Sequence, residues 1–139
     1  MDTDYITRNT LIKWLSDGGV SPHSRIKWSL PIDGAPGEWM PTVSHVKLCT
    51  TGYHVCTVAQ SLKWLHATAY LVEVAGTNEA DNEKSVYQSA RLVRHLSVWG
   101  AWCFAADCAE HVLHIFERQF PNDDRPRKAI AAARFANRN

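Results

Sequence analysis

"AYLVEVAGTNEADNEKSVYQSARLVRHL", residues 69–96, decides the fold. Residues 69–76 form a short apolar, β-branched run that ends at Gly76, the pattern of a buried strand. The polar stretch "TNEADNEK" reads as a loop. From Ser85 to Leu96 the chain returns as a second strand, with Ala90, Leu92 and Leu96 alternating against Arg91, Val93 and His95.

Working outward toward the N-terminus, Thr57 and Gln60 have the spacing of a capping box. A helix is therefore expected to start there, with Val58, Leu62 and Leu65 as its inner face. "HVKLC" and "GYHVC" read as two short extended pieces joined at Thr50–Gly52. "RIKWSLP", residues 25–31, alternates as a strand, and "DGAPG", residues 33–37, is turn chemistry. Residues 7–18 read as an amphipathic helix. Leu11, Ile12, Trp14 and Leu15 fall at helical spacing, and Gly18-Gly19 is a C-terminal stop.

Toward the C-terminus the period changes. Trp102, Ala105, Ala109, Val112, Phe116 and Phe120 step by three and four residues and make one helix face. Asp107, Glu110, His111, His114, Glu117 and Arg118 make the other, and Pro121 closes the helix. A second helix follows, with Asp123 or Asp124 as N-cap, Pro126 in its first turn, and Ala129, Ala132, Ala133 and Ala136 available for close approach. The expected class is α+β: a small mixed or antiparallel sheet with an N-terminal helix and a C-terminal helical hairpin. It reads as one domain over 1–139, an α/β part of about 1–98 and a helical cap of about 99–139 closing over the sheet.

At 139 residues, 45% apolar and 21% charged, the chain has globular composition. A formal net charge of +1 gives no global attraction to nucleic acid or membranes, and neither is an expected partner. The polar start "MDTDYITRNT" does not resemble a secretion signal, so a cytoplasmic protein in a host cell is expected. Cys49, Cys56, Cys103 and Cys108 are then free thiols that pack as small hydrophobes.

Cys49, His54 and Cys56 invite a zinc reading, with His45 or Cys103 as fourth ligand. They lack a Cys-x-x-Cys knuckle, and no metal site is assigned. Cys108, His111 and His114 on the long helix are read as solvated surface. A Cys56–His54 nucleophile has no orienting carboxylate marked by the sequence. The charge pattern at the end is more explicit. Arg125, Arg127 and Lys128 crowd a helix start, where positive charge is unfavourable. They answer the acids Asp107, Glu110 and Glu117 on the preceding helix. Asp107, Glu110, His114, Arg125, Arg127 and Lys128 are the candidate binding residues, with an internal ionic clasp as the competing account of the arginines.

Two resemblances rest on these residues. "KLCTTGYHVC", "YLVEVAG" and "EKSVYQSARLVRHL" are similar to an uncharacterised domain of phage and bacterial proteins. That domain has a Cys-x-x-Gly-aromatic-His-x-Cys motif, here Cys49, Gly52, Tyr53, His54 and Cys56. "FAADCAEHVLHIFERQFPNDDRPRKAIAAARFA" resembles the C-terminal part of bacterial immunity proteins. Together they imply a small phage- or mobile-element-type protein that inhibits a host defence complex or a toxin by occupying its surface, without a cofactor. A more distant resemblance runs through "GYHVCT", the following helix, "YLVEVAG" and "KSV", in the order of the small ADP-ribosyltransferase fold. It implies an alternative, an enzyme using NAD with Tyr53 or His54 on the nicotinamide side.

Overall fold

The computed structural model describes residues 6–97 and 99–135. The backbone divides into two compact units, residues 1–96 and 97–139. The first is a closed four-stranded barrel in the order β1-β2-β4-β3, with β1 Leu11–Leu15, β2 Tyr53–Thr57, β3 Thr68–Ala80 and β4 Ser85–Leu96. All neighbours are antiparallel, so the class is α+β with an antiparallel sheet.

β4 has the expected bounds. β3 runs past Gly76 to Ala80, so half of the expected loop is strand. Register shifts at Leu71/Val72 and Ala75/Asn78 absorb the irregularity, and Gly76 sits in the second with φ 85°. The actual turn is short. Asp81 Oδ1 accepts the N–H groups of Glu83 and Lys84 at 2.8 and 2.9 Å.

The expected N-terminal helix is a strand. Leu11–Leu15 pairs with β2 through Ile12↔Cys56 and with β3 through Ile12↔Leu71 and Trp14↔Ala69. Ile12 and Trp14 are buried on one side while Leu11 and Leu15 pack into the core cluster. A strand buried on both faces carries a continuous apolar run, and that run imitates a helical stripe. Gly18 and Gly19 are turn residues with positive φ, closed by Ser16 N–H on the carbonyl of Val20.

The expected strand at 25–31 is irregular, tied by the single bridge Val20↔Lys27 and turned at Arg25 with φ 63°. Its Trp28 is nonetheless core, 3% exposed, with Nε1 donating to Ser21 Oγ at 2.7 Å. Asp33-Gly34 makes a two-residue turn with positive φ at both positions. The following segment lies along β4. The N–H groups of Gly37, Met40 and Val43 donate to the carbonyls of Leu92, Ala90 and Gln88. Leu15, Trp28, Tyr53, Val55, Tyr70, Val72, Ala90 and Leu92 form the core with Met40.

The capping box at Thr57 is formed in both directions, but it starts only a 3₁₀ turn, Val58–Lys63, with no buried residue. Of the expected inner face, Val58 and Leu65 are half-buried and Leu62 is 59% exposed.

The second unit is a helical hairpin of α1 Trp99–Gln119 and α2 Arg125–Phe135. Its seam differs from the expected one. Ala106 and Leu113 are buried, with Cys103, Phe116 and Glu117 half-buried, and α2 contributes Pro126, Ile130, Ala133 and Arg134. Trp102, Val112 and Phe120 are exposed, so the expected face is turned by roughly 80° from the seam. On α2, Ala133 is half-buried, Ala129 and Ala132 are exposed, and Ala136 lies outside the described residues.

Candidate functional site

The "CTTGYHVC" stretch is held by its own backbone. Lys47 and Thr51 form a bridge, and Cys49 takes a left-handed φ of 62°. That geometry aims the Cys49 N–H at His54 Nε2, 2.8 Å away. A backbone N–H can only donate, so Nε2 is the unprotonated nitrogen of a neutral ring. Burial first, then the positive charges of Lys13 and Lys84, hold His54 below the usual histidine range, against a smaller opposing hydrogen bond to the Gly52 backbone. Gly52 has φ 111°, and a Cβ there would stand 2.6 Å from Val86 Cγ2 and 2.9 Å from the Tyr87 carbonyl oxygen. Tyr53 is buried, with its hydroxyl donating to the Pro41 carbonyl at 2.6 Å and its ring edge-on to Trp28. His54 and Tyr53 thus both have partners that fix them in the fold.

Beside this stretch the barrel unit carries a cavity of about 690 Å³. Tyr53 and His54 line it together with residues that the sequence reading had not connected: Lys13, Trp28, Trp64 and Lys84. Lys13 comes from the middle of β1. Its Nζ donates to the His54 carbonyl at 2.7 Å and lies 5.5 Å from the Trp28 ring centre. Burial lowers its pKa to about 8, only partly offset by the neighbouring Cys56. The Cys56 thiol is pushed up to about 11 by its own burial, moderated by Lys13. With its pKa raised, the Cys56 thiol is protonated at neutral pH and gives Lys13 no counter-charge there.

Lys84 lies over the Trp64 ring and pairs with Asp81 at 3.0 Å. Trp64 Nε1 donates to the Glu83 carbonyl at 2.8 Å, and Lys63 pairs with Glu83. No aspartate or glutamate lines the cavity among the described residues. Nor do the described residues contain a group of three or more His, Cys, Asp or Glu side chains placed to hold a metal ion. Cys49 and Cys108 are exposed, Cys56 is buried and Cys103 half-buried, all as free thiols.

The charged residues of the hairpin are drawn together with each other. Arg127 makes a two-pronged bond to Glu117 at 2.8 and 2.9 Å across the hairpin. Arg134, which was not among the candidate residues, pairs with both Asp107 and Glu110. Arg125 turns back to Asp123 and Lys128 to Asp124. His114 is exposed. On the side of α1 opposite the seam stand Phe104, Val112 and Ile115, each about half exposed. The signal for the two faces was in the sequence, in two overlapping apolar rows on one helix.

Residues 99–139 match the profile of a family described as "Imm-5 like putative immunity protein". The match covers less than a third of the chain and spans the helical hairpin. No curated protein and no solved structure matches the chain. Among the described residues no helix is long and apolar enough to cross a membrane.

Proposed function

We propose that the chain is an immunity-type inhibitor, a phage- or mobile-element-type protein that neutralises a toxin or a host defence complex by occupying its surface. The observation that carries this reading is the match of residues 99–139 to an immunity-protein family, which falls on one compact helical unit. The hairpin seam is closed by Ala106 and Leu113 and by the Arg127–Glu117 and Arg134–Asp107/Glu110 pairs. The outer row of Phe104, Val112 and Ile115, with His114 beside it, is left for a protein partner. The test is growth rescue, in cells producing a panel of bacterial toxin domains and, separately, defence effectors, each with and without the chain. Rescue by the wild type that is lost in a normally melting Val112→Glu, Ile115→Glu variant supports the reading. Rescue unaffected by that variant moves the interface elsewhere, and no rescue against any panel member rejects the function.

An NAD-using, ADP-ribosyltransferase-like enzyme is a second reading, favoured by the cavity beside Tyr53 and His54. Incubation of the purified chain with NAD, followed for nicotinamide release, tests it directly. Absence of turnover rejects it.

A further inference from the structure

Lys13 is a cation placed where the fold gains little from it. Its stem runs into the barrel unit beside Trp28, and its neighbours there are a carbonyl oxygen, an aromatic face and the Cys56 thiol. Among the described residues it has no carboxylate partner. A desolvated ammonium without a counter-charge is unfavourable, and proteins ordinarily pair it or replace it. Lys63 and Lys84 at the same cavity do have acids, Glu83 and Asp81. Trp14, 8% exposed and also lining the cavity, carries the one buried side-chain polar atom without a hydrogen-bond partner among the described residues, its indole N–H. An unbalanced cation thus stands at a cavity that Trp28 and Trp64 also line. A space of about 690 Å³ is of the size that holds small organic ligands.

We propose that this cavity binds a small aromatic anion, a flat ring bearing one carboxylate or phosphate group, with the acidic group on Lys13 and the ring against the neighbouring aromatic side chains. The anion supplies the counter-charge that the chain lacks. The ring gains apolar contact that a bare inorganic ion would not. The proposal concerns the barrel unit and is independent of partner binding by the hairpin. It also stands without ADP-ribosyl transfer, since it requires binding and no turnover.

The experiment titrates indole-3-carboxylate and adenosine 5′-monophosphate into the full chain by calorimetry, with indole and adenosine as neutral counterparts. At least one anion should bind tenfold or more tightly than its neutral counterpart, and should shift the NMR signal of the Lys13 ε-methylene. Preference for one of the two anions identifies which of these two ligands the cavity fits. Lys13→Met should abolish the preference for the anion while melting at or above the wild-type temperature, because it removes the unpaired charge and keeps the length of the stem. Equal affinity for anion and neutral ring, or no saturable binding of either anion, would overturn the proposal. So would Lys13→Met retaining the preference. Should that variant fail to fold, the ε-methylene shift in the wild-type chain decides alone: a signal unmoved at saturating anion sinks the idea.

Discussion

The backbone N–H of Cys49 donates to Nε2 of His54 at 2.8 Å, across a loop in which Cys49 and Gly52 both take positive φ. The bond exists only while Nε2 is unprotonated. Burial and the charges of Lys13 and Lys84 hold the folded pKa below the unfolded value of 6.5, so between those two values the unfolded chain binds more protons. Stability contributed by this contact is full above about pH 6.5 and is lost as pH falls through the folded value. The acid-side decline in the urea midpoint should shrink in His54→Gln. An unchanged decline would show that His54 is not the group responsible.

Lys13 acts in the opposite range. Its folded pKa of about 8 lies below the ordinary 10.5, so stability should rise with pH from about 8 by at most about 1.4 kcal/mol per unit. Cys56, raised from 9.0 to about 11, and Tyr53, raised above 10.0, work the other way above pH 9. Urea unfolding should therefore show a gain between pH 8 and 9 that levels off beyond it. Lys13→Met should erase the gain, and Cys56→Ala should extend it.

Two glycines with left-handed backbone separate strain from space. At Gly34, φ is 80° and nothing stands within 4 Å of a Cβ, so Gly34→Ala should cost about 1–2 kcal/mol. At Gly52 the same change adds contacts at 2.6 and 2.9 Å, and a loss of about 3 kcal/mol or more is expected. Equal losses by thermal unfolding would mean that the loop moves away from Val86.

Thr57 caps a single 3₁₀ turn. Thr57→Ala removes the acceptor for the Gln60 N–H, now at 3.3 Å, and should cost about 1 kcal/mol. Hydrogen exchange should accelerate at Gln60 while β3 amides stay protected. Faster exchange throughout the barrel would make the cap a part of the global fold.

In the hairpin, Leu113 is 7% exposed and Val112 is 51% exposed. Leu113→Ala should cost about 2–4 kcal/mol, and Val112→Ala within about 0.5 kcal/mol. Arg127→Ala, breaking an exposed pair with Glu117, should cost less than about 1 kcal/mol. A large loss at Val112 instead would place the seam on the face first read from the sequence.

The parts legible in the sequence were those set by local chemistry. β4 was readable because buried Ala90 and Leu92 flank Arg91 and the polar Arg94 and His95 follow on its exposed part, and the Thr57–Gln60 box because both partners lie within one turn. "LIKWL" was not, because burial on both faces removes the alternation that marks a strand. The same misreading hid the cavity. Read as a helix, Lys13 is one more surface lysine; read as a strand, it is a charge inside an apolar pentapeptide. The remaining lining comes from residues 21–28, 49–56 and 63–66 and from Lys84, which only the closed barrel brings together. On α1 two apolar rows compete, and the partner helix decides between them.

The segment from Gly37 to Val43 reaches β4 with a donor at every third residue, while β4 offers a carbonyl at every second: 37, 40 and 43 against 92, 90 and 88. A chain in that stride cannot present a matching row of donors and acceptors on its far side, and Pro41 has no N–H at all. The segment therefore satisfies the edge without becoming a new one. Molecules of this kind cannot add to one another strand by strand at this seam, so the segment that covers β4 where β2 does not pair with it also acts as a stop against fibre growth. Cleavage within 37–43 would remove that stop, and a nicked population that forms thioflavin-positive fibres faster than the intact chain is its measurable consequence.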